Sequence, residues 1–151
     1  MARRNAERAK VTAAVKAVKD AEQAKMEAER EKDVAKSKHA AELKLWAEGG
    51  SGERKHVRAL LANLCVVEKC WHCAGVTPTP RHTILWEGAN WSELPMSKLV
   101  QPAQVRKGFH KACRVVHPDK HNVMSQEQIF IASSVFHTLE QAFRTFSAEE
   151  M

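Results

Sequence analysis

Two groups of residues in this sequence carry side chains that could do chemistry, one built on histidine and carboxylate and the other on cysteine. The first is His117-Pro118-Asp119-Lys120-His121. An imidazole beside a carboxylate suits acid–base work, and two histidines at i, i+4 can hold a metal from one helical face. Pro118 stands against both uses: it removes a backbone donor, ends the preceding helix and keeps His117 and His121 off a common face. Asp119 offers a carboxylate that pairs strongly with an arginine once desolvated, and Pro118 stiffens the corner so that little ordering entropy is lost on binding.

The second group is Cys65, Cys70 and Cys73, with His72 between them and His82 beyond. Thiolates and imidazoles bind zinc in a tetrahedron, but this spacing supplies a single close pair, Cys70-x2-Cys73. A metal-free variable loop is the blander account of the same residues, so no metal or cofactor is assigned. The first residues lack the continuous apolar core of a secretory signal, and the four cysteines therefore read as thiols or ligands rather than as a disulfide framework.

A corner at His117 needs a helix on each side to hold it. Pro102 suits a first helical turn, and Val105, Phe109, Ala112 and Val116 then mark one face at helical spacing. The opposite face carries Arg106, Lys107, His110, Lys111 and Arg114. From about Ser125, the residues Ile129, Ala132, Phe136, Leu139, Phe143 and Phe146 fall three and four apart and predict another helix, whose aromatic stripe is core rather than a cofactor box. Upstream, Val57, Leu60, Leu61 and Leu64 predict a helix within residues 53–64. Residues 65–81, with Pro78 and Pro80 around Thr79, read as an irregular loop, and 82–99 as a turn-rich stretch in which Trp86 and Trp91 cover core edges. Gly108 is out of place inside a helix and costs roughly 1 kcal/mol relative to alanine if exposed.

Residues 1–48 are dominated by Ala, Lys, Arg and Glu, which are good helix formers. Val11, Val15 and Val18 make a short stripe, followed only by Met26 and Val34 before Leu43. That stripe is too brief for a coiled coil, and the segment is expected to bury little, as a solvated helix, a partly disordered arm or a basic contact arm. Met1 to Lys19 hold Glu7 as their single acid, as a mitochondrial presequence would, but the acids that follow argue against one. Gly49-Gly50-Ser51-Gly52 reads as a flexible linker, so the folded unit is expected over residues 53–147, with the cysteine-containing insertion at 65–81.

At 151 residues the chain has room for one compact domain with an extension, not for a multidomain enzyme. Its 24 Lys and Arg outweigh 18 Asp and Glu, for a net charge of +6. That balance favours an acidic partner surface. No run approaches the roughly 20 apolar residues of a membrane span, and the expectation is a soluble, intracellular protein that does not insert into a bilayer.

An amphipathic helix with a basic outer face, a His-Pro-Asp corner and a second amphipathic helix resembles the J-domain family. The segments 99–107 and 115–120, together with Trp46, 57–64, 82–86 and Trp91, are similar to its auxilin branch, which includes cyclin-G-associated kinase and plant auxilin-like proteins. The resemblance runs from Trp46 to Phe146 and implies an all-α J-domain with an antiparallel helix pair around the His-Pro-Asp loop. It further implies that His117, Pro118 and Asp119, supported by Lys120, engage the nucleotide-binding domain of heat-shock protein 70. Arg106, Lys107, Lys111 and Arg114 would steer the approach. The protein would then be a cytoplasmic co-chaperone rather than an enzyme, acting on clathrin-coated vesicles. Insertion 65–81 departs from the family pattern. No Asp-Pro-Phe repeat is found, and the clathrin-box-like 60–64 serves better as core, so coat recruitment is not visible in these residues. Two alternatives stay open: a J-protein for a non-clathrin client, and a basic nucleic-acid-binding protein with a zinc-binding insertion. The second lacks aromatic residues among the charges of the arm to stack on bases, which disfavours nucleic acid.

Overall fold

The computed structural model describes residues 2–64 and 84–150, without the side chains of Ala2 and His121. Among these residues the chain forms four α-helices, α1 (Ala2–Glu48), α2 (Val57–Ala62), α3 (Pro102–Val116) and α4 (Gln126–Glu150), with short 3-10 turns at Met96–Lys98 and Pro118–Val123. Among the described residues, the all-α class that the J-domain resemblance implies is what forms. The cysteine group Cys65, Cys70 and Cys73, with His72 and His82, lies outside the described residues.

Each helix near the corner starts where its sequence supplies a cap. Gln101 precedes Pro102, and its backbone N–H donates to Gln104 Oε1 at 3.1 Å, so α3 opens on a capping box. At the start of α4, Ser125 N–H donates to Gln128 Oε1 at 3.1 Å while Gln128 N–H donates to Ser125 Oγ at 3.2 Å. That reciprocal pair satisfies donors the first turn leaves free. His56 caps α2 through its ring, which accepts from Arg58 N–H. The helix begins at Val57 instead of within 53–56 because the chain before it is still completing the turn out of α1.

All four helices share one core. It joins Leu43 and Trp46 of α1, Val57, Leu60 and Leu61 of α2, Val105, Phe109, Ala112 and Val116 of α3, and Ile131, Ala132, Val135, Leu139 and Phe146 of α4. Leu64, Leu85, Trp91 and Leu99 close it from the connections, and Trp91 donates its ring N–H to Leu64 O at 2.6 Å. α4 faces α1, α2 and α3 at once, so it buries a band wider than the predicted stripe. Ile131 and Val135 are inside, whereas Ile129, Phe136 and Phe143 are half-buried.

The expectation that the first 48 residues bury little holds for one part only. Apart from half-buried Ala28, residues 3–34 are exposed, but Ala35, Leu43 and Trp46 are buried and Trp46 is 1% accessible. These fall with His39 at steps of three and four, and they lay the last turns of α1 against α4. Lys38 and His39 both reach Glu127 in the first turn of α4, where a carboxylate is also favoured by the helix dipole. The glycine linker is a closed turn: Gly49 N–H donates to Leu45 O at 2.8 Å and Lys55 N–H to Ala47 O at 2.9 Å. Gly49 (φ 68°) and Gly52 (φ 74°) take left-handed conformations that side chains disfavour.

Gly108 also differs from expectation. It is buried, and a Cβ there would lie 3.0 Å from Leu94 Cδ1 and 3.3 Å from Leu61 Cδ1 and Leu99 Cδ2. Its missing side chain lets α3 approach α2 and the 94–99 segment closely, which offsets its poor helix propensity.

Because Trp46 is core, Trp46→Ala should cost about 3–5 kcal/mol in urea unfolding, while Val15→Ala on the exposed part of α1 should stay within about 0.5 kcal/mol. The hydrogen bond from Lys38, with that of His39, holds the Glu127 carboxyl below its usual value. A lowered folded value gives stability that is present above the unfolded value of about 4.5 and is lost as pH falls through the folded one. The stability difference between the wild-type chain and Glu127→Gln should therefore be present at pH 6 and vanish in acid. The effect should be small because both partners are partly exposed.

Candidate functional site

α3 and α4 run antiparallel, as two ring contacts at different levels show. Phe109 stacks on Phe143 with centroids 4.1 Å apart and planes at 2°, and eight residues later His117 meets the earlier Phe136 edge-on at 5.8 Å. Aromatic pairs of this kind add to area burial and fix the spacing of the helices. The chain must reverse between Val116 and Gln126, and Pro118 sets where it turns.

His117 terminates α3 in an extended conformation (φ −64°, ψ 138°), as expected for a residue before proline. Pro118 then opens the 3-10 turn, in which Lys120 N–H donates to His117 O at 3.1 Å. Asp119 N–H donates to His117 Nδ1 at 3.2 Å. In the neutral ring Nδ1 is thus the acceptor and Nε2 carries the proton. The Asp119 carboxylate lies 3.3 Å from the same Nδ1, and its side chain is 88% accessible, against 43% for His117. The corner is held from inside by the Phe136 edge and by its own backbone, while the acid projects into solvent.

The predicted basic residues lie on and beside this corner. Arg106, Lys107, His110 and Arg114 are exposed along α3, and Lys120 is exposed in the turn. Lys111 differs. It is half-buried, bonded to Ser92, and its ammonium lies 5.5 Å from the Trp91 ring centroid, so part of its role is to pin the 91–92 segment to α3. His110, Cys113, Arg114, His117, Asp119 and Lys120 together line a depression of about 500 Å³. It joins the basic face of α3 to the corner. The arrangement presents one largely exposed carboxylate beside a row of cations, on a packed frame.

Sequence reasoning gave no role to two residues, Arg58, which supports the frame, and Cys113, which lies in the depression. Arg58 donates through both terminal nitrogens to the Glu150 carboxylate, through Nε to Leu99 O at 2.8 Å, and through Nη2 to Val100 O at 3.2 Å, with its guanidinium 5.1 Å from the Phe146 ring centroid. One side chain so ties α2, the segment before α3 and the end of α4. No local pattern marks Arg58, because its partners are 41 to 92 residues away. Cys113 sits in the depression half-buried, and burial, with a smaller contribution from Glu140, pushes its thiol up to about 11.

A helix hairpin that carries His-Pro-Asp at its corner, clear of its own core, is the arrangement of a J-domain. Similarity to known proteins puts the chain in that family, in its auxilin-like branch. Auxilin-like protein 1 of Arabidopsis thaliana is 32% identical over 112 residues, covering 73% of this chain and 6% of that protein. Auxilin-related protein 1 of the same plant is 30% identical over 112 residues, 73% of this chain and 10% of its own length. The J domain-containing protein required for chloroplast accumulation response 1, also of Arabidopsis thaliana, is 30% identical over 126 residues, 82% of this chain and 16% of its length. The chain thus spans 6% to 16% of the length of these three relatives. No family model matches the chain, and no solved structure matches it. Among the described residues no helix is long and apolar enough to cross a membrane.

Since the Cys113 thiol is raised from 9.0 to about 11, its thiolate fraction at neutral pH should fall about 100-fold. Maleimide labelling of the Cys113 peptide, followed by mass spectrometry, should be slower by about that factor in the native chain than in urea. Equal rates would show the side chain to be open to solvent.

Proposed function

We propose that the chain is a J-domain co-chaperone that stimulates ATP hydrolysis by a heat-shock protein 70 partner, and that it does so in clathrin-coat disassembly. The observation that carries this reading is the His117-Pro118-Asp119 corner, fixed between α3 and α4 and continuous with the basic face of α3. Asp119 is available to pair with a partner arginine, and such charge-assisted contacts strengthen as water leaves the interface. Pro118 and the Asp119 N–H bond to the ring keep the corner in one conformation, so docking orders little. Arg106, Lys107, Lys111, Arg114 and Lys120 raise the association rate towards an acidic chaperone surface and make it sensitive to salt.

Hydrolysis takes place in the site of the chaperone itself. This chain acts by binding one conformational state of that partner more tightly than the other, and it contributes no catalytic group. The clathrin coat is the client that the auxilin-like relatives suggest, with the cytoplasmic face of coated vesicles as the place of action. A client other than clathrin is the second reading, supported by the relative whose name ties its J-domain to the chloroplast accumulation response.

Single-turnover ATP hydrolysis by a cytosolic heat-shock protein 70 tests the chaperone half. The wild-type chain should accelerate it, and His117→Gln should abolish at least about nine-tenths of the acceleration while its circular dichroism stays native. Arg114→Glu should weaken the effect most at low salt. Equal rates with wild type and His117→Gln would reject the proposal. Pull-down of assembled clathrin separates the two client readings.

A further inference from the structure

The exposed length of α1 has no use in the reading above, and its pattern is unusual. One face, a third of a turn away from the side that packs on α4, carries in order Arg4, Arg8, Val11, Val15, Val18, Glu22, Met26, Glu29 and Asp33. Val11, Val15, Val18 and Met26 are each about half to two-thirds exposed (49% to 64%). The face runs from cationic through apolar to anionic.

We propose that this face of α1 pairs with the same face of a second copy of the chain, as an antiparallel two-helix dimer. A two-fold axis between Val18 and Lys19 sets Arg4 against Asp33 of the second copy, Arg8 against Glu29, Val11 against Met26, and Val15 against the methylene stem of Glu22. Each contact occurs twice by symmetry, as an isologous interface requires. In this register no two like charges stand at the same level anywhere along 3–34. The parallel alternative places Arg4 on Arg4 and Glu29 on Glu29, and is repelled.

The apolar stripe covers too few turns to hold a coiled coil by burial, so charge pairing must carry the association. Such a dimer is weak, forms at high local concentration and loosens as salt screens it. It would place two His117 corners in one particle, at opposite ends of the paired arms. This surface is separate from the corner and does not depend on the chaperone reading.

Sedimentation equilibrium of the full chain, from about 10 to 500 µM at low and high salt, tests it. The mass should rise from 17.0 kDa towards about twice that value at low salt, and the apparent dissociation constant should increase at least about tenfold at high salt. The double variant Arg4→Glu with Arg8→Glu should stay monomeric, as should Glu29→Arg with Asp33→Arg. An equimolar mixture of the two should regain the heavier species, because every opposed pair then has opposite charge; this also shows that both variants are folded. Chaperone stimulation by each variant should equal that of wild type. A mass fixed at 17.0 kDa throughout, association that salt does not weaken, or a mixture that stays monomeric while both variants are helical would overturn the dimer. Monomeric chain that co-sediments with phosphatidylserine vesicles would assign the face to a lipid surface instead.

Discussion

An exposed corner keeps a defined shape only if the helices on either side cannot slide or rotate, and here that depends on α3 and α4 packing rings against each other at two levels. Phe109 on Phe143 sets the separation in the middle of the hairpin, and His117 on Phe136 sets it at the corner itself. Gly108 sits on the far side of the same helix, where its lack of a side chain draws α3 against Leu61, Leu94 and Leu99. The corner is rigid because the helix leading into it is clamped on both sides.

The rest of the molecule works to hold α4 in place. α1 brings Trp46 and Leu43 to one flank and ties Lys38 and His39 to Glu127 at the start of α4, while Arg58 ties the end of α4 to α2 and to the segment before α3. The two ends of α4 are thus fixed by ion pairs and its middle by packing. Exposed ion pairs contribute little each, so the apolar band supplies most of the stability and the charged contacts set orientation.

The charge of the chain divides in space in a way the net value of +6 conceals. Among the described residues, one cationic group lines α3 and the turn after it, next to the carboxylate of Asp119, and another sits in the first turns of α1, followed along the helix by an acid-rich stretch. A single basic patch would attract any polyanion. Cations paired with a nearby, positioned acid discriminate among partners, because a uniformly acidic surface meets repulsion at the acid.

Much of this was legible in the sequence. The helical spacing of α3 and α4, the start of α3 at Pro102 and the position of the corner at Pro118 follow from local rules, since each depends on residues within a turn of one another. The predicted stripe of α4 was too narrow because it assumed one neighbouring helix, where the fold supplies three. Leu43 stood in an arm expected to bury little, and Gly108 looked out of place in a helix, because burial at those positions comes from segments distant in the chain. The sequence by itself determined where the helices around the corner start, stop and turn, through proline and periodicity. Only the tertiary structure decided which faces are inside, what Arg58 and Lys111 are for, and how far His117 and Asp119 stand clear of the core, because those depend on contacts spanning tens of residues that no local pattern encodes.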